Sequence, residues 1–307
     1  MHKDMAEKTK SPKKLAPKPI EVSKTYKMYV GGAFPRSESG RYYDLRLKEG
    51  MLLANVCRAS RKDFRDAVVA ARKAQGSWQE RSAFNRSQIL YRIAEMLQQK
   101  RTLFVEEMQR MGLSKSASEA EFAQSVDLCV YYAGWCDKYQ QVYSSVNPVA
   151  SSHFNFSLHE PTGVVASMAE PDSALLGTLK AILPAITGGN SVVLLASERY
   201  PLSAVSLGEV LATSDVPGGL VNILTGFREE LQHHFASHMD VNALVMWDAP
   251  ASVQIELGQH CAENVKRYFF YESEDSKQPG PQYIIDLQEV KTTWHPIEQI
   301  KGSGSAY

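Results

Sequence analysis

Four cysteines, two histidines flanking an apolar alternation and one aromatic cluster are the first side chains in this 307-residue chain to test for chemistry. Cys57, Cys129, Cys136 and Cys261 show no CxxC or metal-ligand spacing, and three of them fall in helical patterns. They read as reduced, buried thiols, which places the chain in the cytoplasm. His153 and His159 bound the segment HFNFSLH. Its period of two puts Phe154, Phe156 and Leu158 on one strand face and His153, Asn155, Ser157 and His159 on the other. Two histidines without a third ligand make no metal centre, so they read as solvated strand residues and no metal is expected. Tyr131, Tyr132 and Trp135 could form a ligand platform, but their helical spacing with Phe122, Val126, Val130 and Ala133 favours core packing.

The elements that must position any site are clearest over residues 160–226. The pattern predicts a strand at 162–168, a helix at 173–186, a buried strand at 191–196, a helix opened by Pro201 and a strand at 220–224. Short continuous apolar runs alternating with helical patterns argue a parallel sheet covered on both faces. Gly188 and Gly189 close the first helix, and Pro217-Gly218-Gly219 turns the chain. The alternation continues with a helix at 229–237, a strand at 242–247, a helix at 250–261 and a strand at 265–271. Five strands and four helices complete a Rossmann-like sheet, although no GxGxxG fingerprint is present. Upstream, residues 26–34 read as a strand with a hairpin at Gly31-Gly32, then a loop through 37–40, with 52–58 as its pairing partner. Residues 60–141 read as three helices, the first opened by a capping box at Ser60 and Asp63.

Composition excludes some partners. Formal net charge is zero and the pI is about 7.1, so no global field favours nucleic acid or anionic membranes. No apolar run reaches the length of a membrane span, so no membrane partner is expected. The first 27 residues hold eight lysines against three acids. Residues 1–24 therefore read as a disordered Lys/Pro-rich tail ahead of one folded unit, 25–271. Residues 272–281 (ESEDSKQPGP) read as a polar linker, 282–297 as a further strand and 298–307 as a flexible end.

Several of these turns carry a resemblance. The segments EPTGVV (160–165), EPDS (170–173), GGN (188–190), SERYP (197–201) and VPGGLVNILTG (216–226) resemble the aldehyde dehydrogenase superfamily, as does Tyr29-Val30-Gly31-Gly32 near the start. The likeness runs to about Arg267. It implies a cofactor-type domain, with residues 153–159 and the LQEVKTTWHP stretch as strands of a small antiparallel oligomerisation arm. Members of the family carry roughly two hundred residues of catalytic domain between the fifth strand and the second arm strand. Here the short linker stands in that place, so the catalytic domain is expected to be absent.

The family's functional positions are then read one by one. Its chemistry needs a thiolate nucleophile after the fifth strand, and no cysteine follows Cys261. Gly258-Gln259-His260-Cys261 is similar to the family's GQxC motif but precedes the fifth strand, so the likeness is coincidental. The oxyanion-donor position falls on Asp172, whose carboxylate would repel a developing alkoxide. The general-base position falls on Tyr271, or on Glu272 with a one-residue slip. Of the two residues that hold the adenosine ribose, Glu198 matches as a remnant and Leu195 replaces the lysine. Trp247 and Asp248 replace the turn that approaches the pyrophosphate and are expected to fill it with bulk and negative charge. The resemblance thus implies no catalytic residues and no expected cofactor, NAD(P) binding being weak at most. The leading expectation is a non-catalytic subunit that pairs with itself or with a catalytic aldehyde dehydrogenase, similar to the degenerate second half of family 16 members. Two other readings stand beside it: an NAD(P)-dependent oxidoreductase completed by a partner's cysteine, and a decayed product without its own function.

Overall fold

The computed structural model describes residues 24–47, 50–273 and 279–297; all but the last residue of the expected 1–24 tail, the middle of the linker and the 298–307 end lie outside the described residues. The chain opens with β1 (Thr25–Tyr26), β2 (Tyr42–Arg46) and β3 (Leu52–Cys57). Five helices follow: α1 (Arg61–Gln79), α2 (Ala83–Gln99), α3 (Arg101–Arg110), α4 (Lys115–Ala133) and α5 (Lys138–Tyr143). Then come β4 (Ser145–Asn147), β5 (His153–Pro161), β6 (Val164–Met168), α6 (Leu175–Thr187), β7 (Ser191–Leu195), α7 (Pro201–Ala212) and β8 (Val221–Leu224). The described residues end with α8 (Arg228–Ser237), β9 (Ala243–Trp247), α9 (Ala251–Ala262), β10 (Arg267–Tyr271), α10 (Gln282–Ile285) and β11 (Gln288–Pro296).

The central sheet is five-stranded and parallel, in the order β10-β9-β6-β7-β8. Every residue of β6, β7, β8 and β9 is buried, as continuous apolar runs demand when helices cover both faces. One face packs on α1, α8 and α9, where Phe64 stacks on Phe235 with ring centroids 4.1 Å apart. The other face packs on α2 to α4, α6 and α7, and Trp78 Nε1 crosses from α1 to donate to the Ile186 carbonyl at 2.8 Å. The expected capping box is present: Asp63 N donates to Ser60 Oγ at 3.2 Å and Ser60 N to Asp63 Oδ2 at 2.7 Å. Pro201 stands in the first turn of α7, and Gly189, at φ +94°, follows α6 in a conformation that L side chains rarely adopt.

The N-terminal expectations need correction. The strand at 26–34 shrinks to β1, and Tyr29 instead bridges to Ile223, with Tyr29 N donating to Ile223 O at 2.9 Å. The turn at Gly31-Gly32 holds, with Val30 paired to Ala33. The expected pairing of 52–58 with the first strand holds, β1 lying parallel to β3 with Tyr26 opposite Val56. The antiparallel neighbour of β3 is the unexpected β2, where an Arg46–Asp44 ion pair of 2.6 Å sits on a half-exposed edge too polar to read as a strand. Residues 60–141 contain five helices rather than three: Lys100 alone both ends α2 and begins α3, without a glycine or proline to mark the break, and the chain breaks again at Gly134 between α4 and α5.

The arm is a three-stranded antiparallel sheet, β11-β5-β4. Residues 282–297 are not strand throughout: Gln282–Ile285 forms a helical turn that seats Ile284 in the core, and the strand begins at Gln288. Asn190 holds this segment to the sheet. Its Oδ1 accepts from Gly163 N at 2.8 Å, and its Nδ2 donates to Leu287 O at 3.0 Å. Gln288 Nε2 donates to Gly188 O at 3.2 Å, and a Cβ on Gly188 would overlap that amide. The arm's polar face is covered at Asn155, which is buried, whereas Phe154 and Leu158 on the opposite face are exposed. His159 is not simply solvated: its Nε2 contacts the Tyr143 carbonyl at 3.1 Å.

Candidate functional site

The C-terminal ends of the parallel strands open into a groove of about 740 Å³, walled by Asp172, Glu198, Phe227, Arg228, Met246 and Pro250 among others. Strand ends in a doubly wound sheet converge main-chain carbonyls on such a crevice, and ligands of such folds bind there. Here a side chain of the protein has taken the position. The guanidinium of Arg228, at the first residue of α8, donates to the Trp247 carbonyl at 2.9 Å and to the Ala169 carbonyl. Burial pushes its pKa down, opposed by the nearby charges of Glu198 and Asp248. Glu198 accepts from the backbone N–H of the same Arg228. Its carboxylate thus serves the first turn of α8.

The remaining charges of the groove are also engaged. Asp172 lies on the exposed rim in an ion pair with Arg199 at 2.5 Å, which pushes the Arg199 pKa up. Arg58 pairs with Glu230, and Arg41 approaches the same carboxylate at 3.7 Å. Glu229 and Glu230 occupy the first turn of α8, where a helix N-terminus would otherwise present N–H groups to an anion. A dinucleotide diphosphate entering here would meet the carboxylates of Asp172, Glu198, Glu229 and Glu230, and guanidinium groups of Arg58, Arg199 and Arg228 already bonded within the protein. The groove as built does not fit it.

Trp247 does not fill this groove, contrary to the expectation. Along β9, Leu244 and Met246 face α1 and α8, while Val245 and Trp247 face the other side. The Trp247 indole is buried there, with Nε1 lacking a hydrogen-bond partner among the described residues. It borders a second cavity of about 560 Å³ between α4 and α6, shared with Tyr131, Leu176, Lys180 and Tyr283. The aromatic cluster is thereby divided: Tyr131 and Tyr132 line this cavity, and Tyr132 also donates to the Gly280 carbonyl at 3.2 Å. Asp248, at φ +52°, accepts from Ser273 N at 2.8 Å and so stitches the end of β9 to the segment after β10.

Residues 36–270 match the model of the aldehyde dehydrogenase family. The chain belongs to that family. It is 30% identical over 252 residues to the mitochondrial aldehyde dehydrogenase family 2 member B4 of Arabidopsis thaliana, covering 80% of this chain and 46% of that protein. It is 31% identical over 240 residues to retinal dehydrogenase 2 of Gallus gallus, covering 75% and 45%. The fold is that of an aldehyde dehydrogenase from Bacillus cereus solved in complex with NAD+, at a TM-score of 0.76 and 24% identity, over 81% of this chain and 51% of that one. The chain spans about half the length of the relatives it matches.

Set on this aldehyde dehydrogenase frame, the expected chemical positions are all in structural use. Tyr271 ends β10 with its hydroxyl donating to Asp286 Oδ2 at 2.7 Å, and its ring packs on Trp247 and Tyr283. Burial, with the Asp286 carboxylate beside it, holds the phenol protonated far above its ordinary range, so it offers no base. Cys261 is fully buried in α9 and burial pushes its thiol up to about 11. Burial likewise pushes Cys129 and Cys136 up to about 12. A nucleophilic thiolate needs the opposite shift and an open approach. Leu195 is buried at the end of β7. Residues 279–287, with α10, lead into the arm strand β11.

Sequence reading missed two things. Arg228 carried one weak signal, a cation at the first helical residue after the Gly226-Phe227 turn, where an anion would be the ordinary choice. The second is a surface cluster of His233, Glu256 and His260, whose ligand-type atoms lie within 4.8 Å of one another. Its members come from two helices, so no sequence spacing announces it.

Proposed function

We propose that this chain is a non-catalytic member of the aldehyde dehydrogenase family, acting as a structural or regulatory subunit. It assembles through its antiparallel arm with a second copy or with a catalytic aldehyde dehydrogenase. The observation that carries this reading is the half-buried Arg228 in the crevice, bonded to strand-end carbonyls where a dinucleotide would have to pass. The engaged states of Asp172, Glu198 and Tyr271 support it, as do four buried cysteines with no open thiolate among them. Retention of the arm supports the assembly half. Its nine-residue pairing of β11 with β5 is intact, and Phe154 and Leu158 of β5 and Val146 of β4 are exposed. On this reading NAD(P) binds weakly or not at all, and the chain works in the cytoplasm.

Affinity purification from the native source, with mass identification of the bound chains, tests the proposal. Recovery of an aldehyde dehydrogenase or of a homo-oligomer is the expected result, and a lone monomer at working concentration contradicts it. A rival reading is an NAD(P)-dependent aldehyde oxidoreductase completed by a partner's cysteine, and what speaks for it is Glu198, the matching ribose-position residue, on the groove wall. Micromolar NAD(P) binding to the isolated chain would favour that rival.

A further inference from the structure

We propose that His233, Glu256 and His260 form a binding site for one divalent transition-metal ion, zinc above all, bridging α8 and α9. Glu256 and His260 stand four residues apart on α9 and therefore share a face. His233 reaches them from α8, its ring 4.4 Å from that of His260, centroid to centroid. One ligand-type atom from each of the three lies within 4.8 Å of the others. Bonds of about 2.0–2.1 Å in a tetrahedral arrangement require ligand atoms about 3.3 Å apart. Side-chain rotation closes the difference without moving either helix, because His233 and Glu256 are exposed.

A second contact points to a ligand. His260 Nδ1 lies 3.3 Å from Glu263 Oε1, one turn further along α9. A carboxylate there holds the proton on Nδ1 and leaves the Nε2 lone pair to bind a cation, the arrangement that orients histidines in metal centres. Among the described residues the His233 imidazole contacts the rings of His234 and His260 and makes no hydrogen bond. Two imidazoles with one carboxylate suit zinc, copper or nickel and lack the oxygen ligands that calcium or magnesium requires. Three protein ligands leave the fourth position to water. The neighbouring Cys261 is no competitor, being fully buried in α9 and outside the cluster. Loaded, the ion ties together the two helices that cover the outer face of β9, independently of how the crevice is read.

Calorimetric titration of the full chain with zinc chloride in a non-chelating buffer, alongside elemental analysis, tests the site. One zinc ion per chain with a Kd tighter than about 100 µM is expected, with a rise in thermal midpoint on loading. The His233→Ala/His260→Ala chain should lose at least about 100-fold in affinity, and Glu256→Gln and Glu263→Gln about tenfold or more each. His153→Ala and His159→Ala should leave the titration unchanged. Circular dichroism checks that each variant is folded; should the double variant fail, Glu256→Gln carries the test alone. No binding tighter than about 100 µM, or equal affinity in the His233→Ala/His260→Ala chain, overturns the proposal.

Discussion

The guanidinium of Arg228 donates to the main-chain carbonyl of Trp247 across 2.9 Å, and so ties the start of α8 to the end of β9. Because the same group also reaches the Ala169 carbonyl after β6, it joins two neighbouring strands at the point where a doubly wound sheet ordinarily receives its ligand. Replacing it strands two acceptors. Arg228→Ala should therefore cost about 2 kcal/mol of stability, read as a lower urea midpoint with an unchanged denaturant slope.

The four thiols offer a direct test of whether any cysteine is activated. All are buried, and burial holds three of them up at about 11 or 12. At neutral pH the folded chain should resist a thiol-specific alkylating reagent, with four equivalents reacting only after denaturation. Rapid labelling of a single site in the native chain would reveal an activated cysteine and contradict the account.

Lys266 predicts an unusual pH dependence. Its ammonium is buried, donates to the His238 carbonyl at 2.8 Å, and is pushed down to about 8 from an ordinary 10.5 by desolvation. Between those values the unfolded chain holds a proton that the folded chain has released, so this group makes stability rise as pH rises. From pH 8.5 to 9.5 the contribution is roughly 1 kcal/mol. Lys266→Met should abolish that rise, measured as the difference in urea midpoints between the two chains across the interval. Parallel pH profiles of the two chains would contradict the assignment.

The arm carries the assembly claim. Phe154 and Leu158 are roughly half exposed on an otherwise ordered strand, at 45% and 42%. Phe154→Asp with Leu158→Asp should shift the chain to monomer in light scattering while leaving its thermal midpoint nearly unchanged, since surface substitutions cost about 0.5 kcal/mol or less. An unchanged oligomeric state would move the interface elsewhere.

Much of the sheet was readable in advance because each strand of the stretch 162–224 is a continuous apolar run bracketed by punctuating residues. Gly188-Gly189, Pro201 and Pro217-Gly218-Gly219 act locally, and local signals survive in sequence. The break at Lys100 had no such marker, and β2 is stabilised by its pairing with β3 rather than by its own half-polar residues. For the site, a motif could locate Asp172, Glu198 and Tyr271 but could not reveal what they touch. The contacts with Arg199, Arg228 and Asp286 depend on tertiary placement, as does the meeting of His233 with Glu256 and His260. Which side of β9 takes the Trp247 indole was likewise a matter of strand register, settled by the pleat.

The proposal that the chain is non-catalytic is tested most directly by incubating the purified full chain alone with NAD or NADP and a panel of aliphatic and aromatic aldehydes while following reduced cofactor. The account predicts no formation above the rate without protein. A turnover near 1 per second, the low end of ordinary enzymes, would contradict it.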